Sequence, residues 1–237
     1  MTTKAQSAWE EAVGALRREL GDNLYSCCLY GSAVRGNAIE GVSDLNLLIV
    51  LQESNCAAHS VVARALAGSG QVDPFILGRR GFERSVRAFA VKFASIRRNY
   101  RLLHGADPLD GIEVDQQIER FLCEQGLRNL RLRLAYSFVT RQQNKAYGRF
   151  LTHNVTPLFV QLSEALRLSG CTIPKEFAAR IPIFEKEFKI DGAVLRDLLA
   201  LKQAPKQLSD AAQVAWHERV FPMVDAVMAW VETKWPA

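Results

Sequence analysis

Leu29-Tyr30-Gly31-Ser32, followed by Ser43-Asp44-Leu45-Asn46-Leu47-Leu48-Ile49-Val50, is where the chain first departs from ordinary strand and helix patterning. The runs Leu24 to Tyr30 and Leu45 to Leu51 are short, apolar and rich in strand formers, and a Gly-Ser turn closes the first. Side chains alternate along a strand, so Asp44 and Asn46 share one face while Leu45 and Leu47 point into the core. Gly31 has no side chain, which lets a phosphate approach its backbone N–H, and the Ser32 hydroxyl adds a second donor. Arg35, between the two halves, is a candidate phosphate contact, with a surface arginine as its plainer reading.

Working outward, Trp9, Val13, Leu16 and Leu20 recur on one face of a helix that Gly21 stops. Asn55 to Ala67 also reads as a helix, ended by Gly68-Ser69-Gly70. Val72 to Leu77 reads as a third strand, and Pro74 suggests that it lies at an edge. Arg79 to His104 is ambiguous between helix and strand, with Ala88 to Ile96 as a further strand candidate. Gly105-Ala106-Asp107-Pro108 is a turn, and a domain boundary is expected at about residues 108 to 115. From Asp115 onward the pattern is helical. Phe121, Leu127, Leu130, Leu134 and Phe138 are expected to form one stripe, and breaks or kinks are expected at Pro182 and Pro222. The expectation is an α/β domain over residues 1–112 and an all-α bundle over 113–237.

Composition narrows the function classes. The 237 residues are 49% hydrophobic and 23% charged, which is the balance of a folded chain rather than a disordered one. No apolar run is long enough to span a bilayer, and acidic residues stand near the N-terminus where a signal peptide would need an apolar stretch. The five cysteines show no CxxC spacing and the four histidines no HExxH, so a zinc site or disulfide framework is not expected and a reducing cytoplasm is.

The net charge is +5, and Arg79 to Arg101 alone holds eight basic residues against the single acid Glu83, a local net of +7. The rest of the chain therefore sums to −2. The plain reading of this segment is a solvated helix face, and the functional one is a clamp for an anion such as a triphosphate. Nucleic acid is not favoured, because Phe82, Phe89, Phe93 and Tyr100 are spaced like core residues rather than a base-stacking platform. Arg128, Arg131 and Arg133 read first as surface residues.

The Gly31-Ser32 turn followed by Ser43-Asp44-x-Asn46 resembles the nucleotidyltransferase superfamily, and within it the aminoglycoside and minimal nucleotidyltransferases. The motif match covers Leu29 to Leu51, and the Leu103-His104-Gly105-Ala106-Asp107-Pro108 turn looks like a segment that follows the catalytic core in such proteins. The resemblance implies a small mixed sheet with flanking helices, and a C-terminal bundle like the substrate-binding bundle of the aminoglycoside-modifying enzymes. It also implies transfer of a nucleoside monophosphate from a Mg²⁺–NTP to a hydroxyl acceptor, either a small molecule such as an aminoglycoside or a macromolecule. By that resemblance Gly31, Ser32 and Arg35 meet the phosphates, Asp44 and Asn46 hold Mg²⁺, and Asp73 is the third carboxylate, serving as ligand or general base. The sequence departs from the family at Asn46, where the pattern has a second carboxylate. An amide oxygen can ligate Mg²⁺ but brings no charge. The alternative is therefore a catalytically impaired protein that binds a nucleotide or a partner, and a homodimer is left open.

Overall fold

The strands β1 (Leu24–Tyr30) and β2 (Leu45–Leu51) pair antiparallel at the centre of a four-stranded sheet. Strand β3 (Val72–Gly78) joins β2 in parallel and β4 (Tyr100–Gly105) joins β1 antiparallel, giving the order β3-β2-β1-β4. Pro74 thus sits on an edge strand, where a missing N–H disturbs one ladder rather than two. The computed structural model describes residues 3–35, 45–69, 72–144 and 146–235, and for residues 3–8, Ser32, Arg35 and Asn144 it describes the backbone alone. Met1–Asp115 and Gln116–Ala237 form two compact units.

Among its described residues the first unit has five α-helices, α1 (Thr3–Leu20), α2 (Ser32–Arg35), α3 (Cys56–Leu66), α4 (Phe82–Ala88) and α5 (Ala90–Arg98), and a 3-10 turn at Gly21–Asn23. They explain why β1 and β2 are apolar at nearly every position rather than at alternate ones. On one face Cys27, Leu29, Leu47 and Ile49 pack with Leu16 of α1 and Val62 of α3. On the other, Cys28, Leu48 and Val50 pack with Val86 of α4, Phe93 and Ile96 of α5, and Leu109. Leu48 and Val50 are therefore as deeply buried as Leu47, although the period-two reading sent only Leu45 and Leu47 inward. Each such side chain contributes roughly 1.5–3 kcal/mol by leaving water. The same burial pushes the Cys27 and Cys28 thiols up, to about 12 and about 11.

The candidate strand Ala88 to Ile96 is instead helical. Phe82, Val86, Phe89, Phe93 and Ile96 recur every three or four residues, a helical period, and Phe89 at φ −116° divides the run into α4 and α5. After β4 the turn closes on Asp107, whose carboxylate accepts from the Tyr100 hydroxyl at 2.6 Å and from the Leu109 N–H at 2.9 Å. Gly105 stands at φ +77°, with the Tyr25 carbonyl filling the space a side chain would need.

The second unit is all helical among its described residues: α6 (Gln116–Val139), α7 (Arg141–Asn144), α8 (Tyr147–Leu168), α9 (Phe177–Phe188), α10 (Gly192–Gln203) and α11 (Asp210–Lys234). Both α9 and α11 run without interruption through Pro182 and Pro222, and α8 does so through Pro157. A proline inside a helix costs about 3 kcal/mol. Burial of the neighbouring Ile181, Phe184, Val220 and Met223 offsets it and keeps the helices continuous. The α6 stripe is Cys123, Leu127, Leu130 and Leu134, whereas Phe121 is 64% exposed because a six-residue step from it to Leu127 turns it off that face. Arg128 pairs with Glu124 and Glu232, Arg131 with Asp225, and Arg133 stacks on Phe150, all within the helical unit. Among the described residues no helix is long and apolar enough to cross a membrane.

Candidate active site

At the end of β1 the chain turns at Gly31, where φ is +82°, and passes directly into the single-turn helix α2. A residue with a Cβ avoids that conformation, so the turn explains the glycine. Neighbouring β2 begins at Leu45, and its second residue, Asn46, is the one polar side chain in an otherwise apolar strand. Asn46 is flanked in register by Tyr30 on β1 and by Asp73 on β3. A Cβ placed on Gly31 would come to 3.3 Å of the Asn46 Nδ2, so turn and amide touch. Three residues picked from the sequence, Gly31, Asn46 and Asp73, thus converge on one corner of the sheet. Asp44 and Ser43 lie outside the described residues, and the Ser32 and Arg35 side chains are not described, although the backbone of both belongs to α2.

The face carrying Asn46 continues along β2 through Leu48 and along β3 from Asp73 to Phe75, and α5 covers it. From α5 the Lys92 ammonium reaches back over this corner. It lies 4.2 Å from the Phe75 ring centroid and 5.7 Å from that of Tyr30. The residue as a whole is exposed, but its ammonium sits on two rings that displace water, and this loss of hydration lowers its pKa while Asp73 acts in the opposite sense. Tyr30 is 8% exposed, and its hydroxyl finds no hydrogen-bond partner among the described residues. Burial raises its pKa, and Asp73 adds to the effect. Asp73 thus acts electrostatically on both neighbours.

From the sequence Lys92 is one of eight basic residues in a segment whose functional reading is a triphosphate clamp, and Tyr30 is the last residue of the motif strand; neither is set apart from its neighbours. Reading Ala88 to Ile96 with a helical period would have found Lys92, because it places that residue beside Phe89 and Phe93 on the helix that faces the sheet. The other basic residues of the segment are spread out. Arg79 stacks on Tyr25 and donates to Gln52 Oε1 at 3.2 Å, and Arg101 stacks on Trp9. Arg80, Arg84, Arg87 and Arg97 are exposed on the surface.

Magnesium favours oxygen ligands in a compact octahedron. The Asn46 amide oxygen and the Asp73 carboxylate belong to that donor class and stand on neighbouring strands in register, so these are the described residues that would hold a magnesium ion at this corner.

No protein-family model matches the chain, and no curated protein matches it. Among solved structures it is similar to spectinomycin adenyltransferase AAD(9) from Enterococcus faecialis, crystallised with ATP and spectinomycin. The identity is 12% and the TM-score 0.63, over 96% of this chain and 99% of that one. The mixed sheet, its flanking helices and the helical C-terminal region together give this chain a nucleotidyltransferase-like fold.

Proposed function

We propose that the protein is a nucleotidyltransferase that moves a nucleoside monophosphate from an NTP to a hydroxyl acceptor. The observation that carries this reading is the convergence of the left-handed Gly31 turn, the Asn46 amide and Asp73 on one corner of the sheet. The end-to-end likeness in fold to an adenyltransferase bound to ATP and spectinomycin supports ATP as donor and a small hydroxylated acceptor such as an aminoglycoside. In this reading residues 1–112 are the nucleotidyltransferase-like domain and 113–237 the helical bundle. Its five free cysteines are in keeping with a reducing cytoplasm.

The Gly31 backbone N–H and the Ser32 hydroxyl bind the outer phosphates, and Arg35 adds a charge-assisted contact. Asp44, Asn46 and Asp73 would hold magnesium, which would neutralise the triphosphate and stabilise the leaving pyrophosphate. The acceptor hydroxyl attacks the α-phosphorus, a new P–O bond forms, and the bond to the β-phosphate oxygen breaks. Where Asp73 serves as general base instead of ligand, it accepts the hydroxyl proton. Orientation of the two reactants supplies much of the rate.

The test is pyrophosphate release from NTPs with a panel of acceptors that includes spectinomycin. Magnesium-dependent release that disappears in Asp44→Ala supports the enzyme. Asn46 favours a second reading, a protein that binds nucleotide without transferring it. Absence of release across the panel, with NTP affinity unchanged by magnesium, would select that reading instead.

A further inference from the structure

We propose that Lys92 is a built-in cation of the nucleotide site, standing in for the charge of a second magnesium ion that Asn46 no longer helps to hold. The inference rests on the nucleotidyltransferase reading and concerns how this particular site balances the triphosphate. Lys92 arrives from α5, an element separate from the turn and the strand pair, and its ammonium lies over Phe75 and Tyr30. Those rings bracket the Asn46–Asp73 pair: Tyr30 is the register partner of Asn46, and Phe75 follows Asp73 by one strand period on the same face. Among the described residues no ion pair closes on Lys92, so the Asp73 carboxylate attracts it without consuming it.

Charge counting points the same way. Compared with a face bearing Asp at position 46 and no cation at 92, the Asn46 and Lys92 pair makes the site more positive by two charges. That equals the charge of one Mg²⁺ ion. Tyr30 supplies an independent observation: a hydroxyl on a side chain more than nine-tenths buried, beneath the ammonium, with no partner among the described residues. Buried hydroxyls are ordinarily satisfied, and a phosphate oxygen held by Lys92 would satisfy this one. Neither Arg79 nor Arg101 can take this part, since they stack on Tyr25, at the far end of β1, and on Trp9 of α1.

The experiment measures ATP affinity of the full chain by calorimetry, with EDTA and with magnesium. Lys92→Met keeps the apolar stem on Phe75 and removes the charge. It should weaken ATP binding in EDTA about tenfold, the weight of one charge-assisted phosphate contact. Lys92→Arg should stay within about threefold of the parent, as should Lys186→Met, which removes an exposed charge in the helical unit. Asn46→Asp combined with Lys92→Met should recover affinity in magnesium and not in EDTA, with a second metal bound per ATP. Should Lys92→Met fail to fold, Lys92→Gln carries the same comparison. Equal ATP affinity of parent and charge-removed variants overturns the role of Lys92 and leaves the nucleotidyltransferase reading standing. Absence of ATP binding by the parent in both buffers overturns both.

Discussion

Replacing Gly31 by alanine tests the turn at the heart of the site, and its effect can be worked out in two parts. Gly31 sits at φ +82°, where an L-residue costs roughly 1–2 kcal/mol. The added Cβ would also lie 3.3 Å from the Asn46 Nδ2, close enough that the amide must give by a few tenths of an ångström. The amide is the end of a side chain, so the second part adds little to stability and falls instead on the position of Asn46. Gly81, at φ +80° with nothing within 4 Å of a Cβ, isolates the first part. Gly31→Ala and Gly81→Ala should therefore lose similar stability, about 1–2 kcal/mol or roughly 2–8 °C in Tm. Only Gly31→Ala should lose ATP affinity as well. Urea and thermal unfolding read the first quantity and calorimetric titration with ATP the second. A Gly31→Ala variant with parental stability would refute the left-handed turn, and equal ATP affinity in both variants would refute the coupling to Asn46.

Removing the Tyr30 hydroxyl, in Tyr30→Phe, should leave stability unchanged or slightly raised, because that group has no partner among the described residues, while ATP binding weakens; a clear drop in the urea midpoint would show that the hydroxyl is satisfied in the fold. Arg180, 4% exposed, donates to the Pro174 and Lys175 carbonyls and to the buried Ser163 Oγ, so Arg180→Met removes all three contacts and should cost about 1–3 kcal/mol by urea denaturation, with an unchanged midpoint counting against that network. His217, stacked on Phe138 at 3.8 Å and hydrogen-bonded to Tyr147, has its pKa lowered by burial and then by Arg141, while Glu218 opposes. The unfolded chain therefore takes up a proton as pH falls below about 6.5 before the folded chain does, so this contribution is complete above that pH and lost below it. His217→Phe should shrink the fall in urea midpoint between about pH 7.5 and about pH 5.5, and an identical fall would remove His217 as its source.

The sheet was legible where the chain is most apolar. The expected bounds of β1 and β2 agree with those observed, because runs such as Leu47 to Leu51 have no competing helical period. Gly31 and Asn46 stood out for the same reason, as a turn and a polar residue that interrupt such runs. The segment after β3 was not legible, since the break at Phe89 splits one helical period into two short pieces. That ambiguity also left Lys92 undistinguished among the eight basic residues of the segment, because its place over Phe75 is fixed by the packing of a helix on a sheet and not by neighbours in sequence. At Pro182 and Pro222 the helices do not break, because the local preference was outweighed by burial that only the assembled bundle supplies. Phe121 was misassigned by a hydrophobic count that ignored its angle on α6.

The two-sided burial of β2 has a consequence for how the strands find their alignment. A strand that is apolar on one face and polar on the other resists sliding, because a one-residue slip turns its apolar side to water. Leu47 to Leu51 has no such preference, and a slipped copy would bury almost the same side chains. Asn46 is the residue in β2 that a slip would carry into an apolar layer, where its amide would lose its partners. A single polar side chain at the rim thus favours one alignment of β2 against its two neighbours, with Gly31 on one side and Asp73 on the other.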